Sequence, residues 1–327
     1  MEIKKILVTG ATGFIGKELI NKLLEKNFEV HVLDRYVTGR YGLDRKDNLI
    51  KHYANLTDYN RVRSIVREIQ PNAVIHLASI SAVSFSYDNY IEVSEVNYLG
   101  SINLAEACRQ EANNLKQFMV AGTSEEYGMS ITSNDKKLSE SSKLIPNSPY
   151  AVAKVAVDNY LNYMGLAYDF PYTIMRPFNT YGRIDNKHFF IERTITQMLT
   201  QNKVYLGDPE AIRDWVYVDD HVDAYVKALG NDKAIKETFN ICSGVGYTTR
   251  ETAEIIAKLI GFKGETMWMQ TPPRPLDAKV LIGDNSKAIT YLGWKQQYSL
   301  EVGLRKTIDC WENIIQKSNS KNVLKTS

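Results

Sequence analysis

Residues 3–16, IKKILVTGATGFIG, run from an apolar segment into three glycines spaced three apart, then into an amphipathic stretch. A strand that stops, turns almost without side chains and restarts as a helix leaves few folds open. The helix start so formed offers free backbone N–H groups and a partial positive charge, a seat for a phosphate. The same unit recurs along the first half of the chain. Ile3–Thr9, Glu29–Leu33, His52–Ala54, Ala73–Ala78, Gln117–Gly122 and Tyr172–Arg176 read as strands. Phe14–Lys26, Tyr59–Gln70, Ile91–Ala112 and a helix opened by Ser148-Pro149 read as the helices between them. Repeats of this length predict an α/β fold, a doubly wound parallel sheet covered by helices on both faces.

Beyond Asn179 the alternation becomes irregular. Helices are expected at Glu192–Thr200, Asp220–Leu229, Thr249–Leu259 and Leu300–Ile315, between short strands and Pro/Gly turns. The expected division is a dinucleotide-binding domain at 1–178, a smaller mixed α/β substrate domain at 179–315 and a frayed tail at 316–327. Forty basic against 38 acidic residues give a net charge of +2, no reason to seek nucleic acid or an anionic membrane as partner. The cysteines, Cys108, Cys242 and Cys310, form no CxxC pair, and no metal site is expected. No apolar run reaches the ~18 residues of a membrane span, and the N-terminus shows no signal-peptide pattern, so a cytoplasmic protein is expected.

The glycine turn assigns a pyrophosphate to Gly10, Thr12, Gly13, Phe14, Ile15 and Gly16. Asp34 ends the second strand 24 residues after Gly10, where its carboxylate can accept from ribose hydroxyls. It would repel a 2′-phosphate, which favours NAD over NADP, although Arg35 beside it works the other way. Tyr150 and Lys154 lie four apart on one helical face. A free phenol titrates near ~10 and is a poor base at neutral pH. A neighbouring ammonium and a positive nicotinamide ring would lower that value, letting tyrosinate take a proton from a sugar hydroxyl.

With these residues in view the chain resembles the extended short-chain dehydrogenase/reductase family, in its nucleotide-sugar epimerase/dehydratase branch. The likeness is carried by TGATGFIG (Thr9–Gly16), HLAS (His76–Ser79), VNYLGSINLAEAC (Val96–Cys108), GTSEEYG (Gly122–Gly128), SPYAVAK (Ser148–Lys154), RPFNTYG (Arg176–Gly182) and RDWVYVDD (Arg213–Asp220). It implies a Rossmann-type fold, bound NAD, a nucleotide-diphosphate sugar as substrate and a homodimer paired through the central helix and the Tyr150 helix. It makes Tyr150 the base, Lys154 the ribose partner and Thr123 the hydroxyl that meets the sugar's 4-oxygen. Asn55, Leu56, Leu77, Ala78, Ser79 and Asn97 are implied at the cofactor. Ser81, Asn179, Arg213 and Arg274 are implied at the substrate, with Asn179 and Arg213 on its pyrophosphate.

Thr123-Ser124-Glu125 resembles the triplet of nucleotide-sugar dehydratases and decarboxylases. If strand geometry persisted, Thr123 and Glu125 would share a side and Glu126 would be structural. The expected reaction is 4,6-dehydration. Oxidation at C4 acidifies C5, Glu125 removes the C5 proton, water leaves from C6 and the hydride returns there. Ser124 is a weaker acid than the aspartate many dehydratases carry, and segments such as Arg274-Pro275 with Leu281–Asp284 resemble GDP-mannose 4,6-dehydratases. The rivals are a nucleotide-sugar 4-epimerase, a uronate decarboxylase using Arg183 for the carboxylate, and a non-catalytic NAD-binding sensor.

Overall fold

The computed structural model describes residues 3–35, 48–130, 136–184, 186–271 and 274–323, with side chains to residue 318. The Thr38-Gly39-Arg40 stretch, similar to that of NAD-using members of the branch, lies outside them. The central sheet contains β1 (Lys5–Thr9), β2 (Glu29–Asp34), β3 (Leu49–Tyr53), β4 (Ala73–His76), β5 (Gln117–Ala121) and β6 (Tyr172–Pro177), with the later strand Glu237–Ile241 beside β6. All pairings are parallel, and the order from the β3 edge is β3, β2, β1, β4, β5, β6, then Glu237–Ile241. The order reverses between β1 and β4, and a crevice opens there above the strand ends, at the glycine turn.

Alternation along the strands divides the core. Ile6, Val8, Ile75 and Met119 face the helices Phe14–Glu25 and Val218–Ala228. Leu7, Val74, Phe118 and Val120 face Tyr59–Ile69, Gly100–Glu111 and Pro149–Tyr168. Each of these strand side chains is almost wholly buried, a contribution of about 1.5–3 kcal/mol for a large aliphatic one. A division at residue 178 therefore does not separate the layers: Val218–Ala228 covers one face, and Glu237–Ile241 extends the sheet. The rest of the second half builds a small mixed sheet from Asn179–Tyr181, Ile212–Tyr217, Gly246–Thr248 and Val280–Leu281. Its own core holds Trp215, Ile256, Leu304 and Trp311.

Two helices differ from expectation. The stretch read as one helix from Ile91 to Ala112 is broken into Tyr90–Ser94, a π-helical turn Glu95–Leu99, and Gly100–Glu111. Asn97 in that turn spends its amide on the backbone of Ile80, accepting from its N–H at 2.8 Å and donating to its carbonyl at 3.0 Å. The wider turn thus ties the helix to the loop after β4, a common use of π geometry. The last helix runs from Leu300 to Val323, so the frayed tail expected from 316 is helical through most of its length.

Ser148 caps the Pro149–Tyr168 helix as expected, accepting from Ala151 N–H at 3.2 Å. Below it a buried cluster fixes the strand ends. Arg176 on β6 pairs with Glu126 at 2.6 Å and with Asp158 at 2.7 Å, and donates to the Tyr127 hydroxyl at 3.0 Å. Burial and the Asp158 charge push the Glu126 carboxyl well above its usual range, and Arg176 pulls it back. Arg176→Met should therefore leave two buried carboxyls with Lys154 as the cation they still share, and destabilise the chain by about 3 kcal/mol. Chemical unfolding should show that loss at pH 8 and a smaller one at pH 5, where the raised Glu126 carboxyl can protonate.

Candidate active site

A cavity of about 560 Å³ occupies the crevice. Gly10, Thr12, Gly13 and Phe14 form one side of it, and Asp34, Asn55 and Leu56 another. Leu77, Ala78, Ser79 and Ser81 line a third. Gly10 has φ +69°, and a Cβ there would stand 2.6 Å from the backbone nitrogen of Ala78. The bare backbone leaves that space to a ligand or to close approach of β4. Gly16 lies a step behind, since its Cβ would meet the Ala11 Cα at 2.6 Å, and Ile15 packs into the core. Both shape the turn without lining the cavity. Asn97 likewise holds the lining loop through Ile80 and does not face the cavity.

Asp34 is held at the glycine turn. Its Oδ2 accepts from the Thr12 hydroxyl at 2.5 Å and its Oδ1 from Arg35 N–H at 2.8 Å. Asn55 uses its side-chain oxygen to accept from Thr57 N–H at 3.2 Å, which shapes its own turn. The Ser79 hydroxyl is buried without a hydrogen-bond partner in the protein. A roomy crevice, a bare glycine turn, a carboxylate at the end of β2 and an unpaired hydroxyl together fit an adenine dinucleotide. His76 of HLAS has a structural role. It is fully buried between the Thr9 hydroxyl at 2.6 Å and the Ser101 hydroxyl at 2.8 Å, and burial holds it neutral with a pKa of about 3.

The strand before Thr123 does not continue to Glu125. β5 ends at Ala121, and Ser124–Glu126 form a single 3₁₀ turn capped by Thr123. The turn closes as a capping box: Glu126 accepts from Thr123 N–H at 2.8 Å, and the Thr123 hydroxyl from Glu125 N–H at 3.3 Å. Glu126 is thus structural, but for a different reason from strand alternation. Ser124 is buried in the same turn. Glu125 is buried too; its carboxylate stands 3.7 Å from the Arg274 guanidinium, and its Oε2 has no hydrogen-bond partner.

Tyr150 and Lys154 are buried at 6% and 3% exposure and do not line the dinucleotide cavity. Lys154 donates to the Ala121 carbonyl oxygen at 2.6 Å, and its nitrogen is 6.0 Å from the Tyr150 ring centroid. Burial pushes the Lys154 ammonium down to about 8, while Glu126 and Asp158 pull it up. Burial also pushes the Tyr150 phenol above its usual value; the Thr123 hydroxyl opposes this by hydrogen bonding, as does the charge of Arg183. The lowered phenol expected from Lys154 is therefore not a property of the protein by itself.

Arg213 and Arg274 meet on one carboxylate. Arg213 donates to Asp277 at 3.0 Å, and Arg274 pairs with the same oxygen. Arg213 is almost wholly buried, while Arg274 reaches back to Glu125. Asn179 lies on the strand beside Ile212–Tyr217 with its side-chain oxygen buried and unpaired. The cavity side formed by Arg183 and Phe189 was not read from the sequence as a cofactor contact. Its signal was faint: an arginine directly after RPFNTYG. Among the described residues no cluster of metal-ligating side chains occurs, and no helix is long and apolar enough to cross a membrane.

The fold and this cleft define a dinucleotide-binding protein with a tyrosine–lysine pair beside a second, cationic subsite. The chain belongs to the GDP-mannose 4,6-dehydratase family, whose model matches residues 7–307, and with it to the nucleotide-sugar epimerase/dehydratase branch of the extended short-chain dehydrogenases/reductases. It is 33% identical to the UDP-glucose 4-epimerase of Mycolicibacterium smegmatis, over 94% of this chain and 99% of that one. It is 29% identical to a GDP-mannose 4,6-dehydratase of Vibrio cholerae, over 91% of each. The UDP-glucose 4-epimerase of Thermus thermophilus, solved with NAD, superposes with a TM-score of 0.85 at 30% identity, covering 94% of this chain and 99% of that one.

Proposed function

We propose that this chain is an NAD-dependent nucleotide-sugar 4,6-dehydratase that forms a 4-keto-6-deoxy sugar. The observation that carries the choice of reaction is Glu125: a buried carboxylate, in the same turn as Thr123, with one oxygen unpaired in the protein. An epimerase needs no carboxylate there. Gly10, Thr12, Gly13, Asp34 and Ser79 would hold NAD, with Tyr150 and Lys154 at its reactive end. When bound, the cofactor supplies the hydride acceptor and a positive ring beside the phenol.

The chain's own groups do the rest. Tyr150, oriented by Thr123, takes the proton of the sugar's 4-hydroxyl, and Glu125 takes the proton at C5. Arg213, Arg274 and Asn179 bind the diphosphate, the two guanidiniums trading Asp277 for phosphate oxygens. A homodimer is part of this reading. Leu166 is 90% exposed on the Pro149–Tyr168 helix, with Tyr163 and Tyr168 on that helix, Ile91 on Tyr90–Ser94 and Leu99 in the π-helical turn also exposed.

The second reading is a nucleotide-sugar 4-epimerase, supported by the epimerase relatives and requiring only Tyr150 and Thr123. Incubation with a panel of nucleoside-diphosphate hexoses, followed by mass spectrometry, separates the two. Loss of water is the expected outcome; unchanged mass with inverted C4 would replace it with epimerisation. Loss of carbon dioxide from a uronate would point to decarboxylation.

A further inference from the structure

Arg183 and Phe189 follow the strand Asn179–Tyr181 and line the cavity together with Phe14 of the glycine turn. The Arg183 guanidinium carbon is 4.5 Å from the ring centroid of Phe14 and 3.8 Å from that of Phe189. One planar cation thus touches two rings, one from the phosphate seat and one from the second half of the chain. The mount behind it is built, not incidental. Nη1 donates to the Thr180 carbonyl oxygen, and Glu192 Oε1 stands 4.0 Å from it. The same Glu192 oxygen accepts from Gly182 N–H at 3.0 Å and Arg183 N–H at 2.9 Å, and Glu192 is fully buried. Burying a carboxylate is costly, and here that cost fixes the backbone and head group of one arginine.

We propose that Arg183, held over the rings of Phe14 and Phe189, is a clamp that retains NAD in the cavity throughout the catalytic cycle. This rests on the NAD reading above. A cofactor reduced and reoxidised within each turnover gains nothing by leaving, and its loss midway would strand an oxidised sugar. A guanidinium at the wall both complements the anionic dinucleotide and ties the phosphate seat to the second half of the chain.

The test is NAD release from the full-length protein without sugar, by rapid mixing with an NAD-consuming trap and by cofactor content after gel filtration. Arg183→Ala and Phe189→Ala should each release NAD about tenfold faster than the unaltered protein. Arg183→Lys keeps the charge but lacks the flat stacking surface, and should fall between. Circular dichroism verifies the fold, and if Arg183→Ala fails to fold, Phe189→Ala carries the measurement. Release from folded Arg183→Ala at the unaltered rate would overturn the clamp and leave the NAD reading intact. Failure of the unaltered protein to bind NAD at all would overturn both.

Discussion

Tyr150→Phe should give a folded protein that binds nucleotide sugar but shows no absorbance of reduced nicotinamide when substrate is added. The hydroxyl is the only group removed, and its partner in the protein is the Thr123 hydroxyl, so the packing of the helix is kept. Loss of a positioned base costs roughly 10²–10⁴ in rate. In the protein alone the phenol is held above its usual value by burial, and Glu125 and Glu126 push in the same direction. Its ionised form is the base, so C4 oxidation in the unaltered enzyme should rise with pH until the phenolate is fully formed. Residual oxidation by Tyr150→Phe should lack that rise. The binding constant for the sugar should change little, since the loss falls in the transition state. Oxidation at the unaltered rate would remove Tyr150 from the role of base.

The βα alternation, the glycine turn, Asp34, and the Ser148-Pro149 helix start were legible because each depends on neighbours in sequence. What was not legible depends on distant contacts. The π turn at Glu95–Leu99 exists because Asn97 reaches the loop at Ile80, a bond no helical periodicity encodes. The return of Glu237–Ile241 to the central sheet was hidden because ETFNI is short and lies among irregular segments. Glu125 was expected to share a side with Thr123 if strand geometry persisted, but the strand ends at Ala121 and a 3₁₀ turn capped by Thr123 sets its position instead. Arg183 meets Phe14 across 169 positions of sequence, and Asp277 joins Arg213 to Arg274 in a way that only the folded chain reveals.

Glu125→Gln separates the two chemistries most sharply. The change keeps the size of the side chain and removes the ability to take a proton. Because Glu125 Oε2 has no partner in the protein, the amide breaks no internal hydrogen bond there. Arg274 loses one charge at 3.7 Å but keeps Asp277, so the cationic subsite survives. C4 oxidation should therefore persist, visible as reduced nicotinamide that accumulates instead of disappearing. Water loss should fall by roughly 10²–10⁴, and exchange of the C5 hydrogen with heavy water should fall with it. An epimerase would behave differently: its turnover would pass through the same ketone without touching C5, and Glu125→Gln would leave it nearly unchanged. Dehydration at the unaltered rate would remove Glu125 as the C5 base, while brisk inversion at C4 without C5 exchange would make the carboxylate a substrate-positioning group in an epimerase.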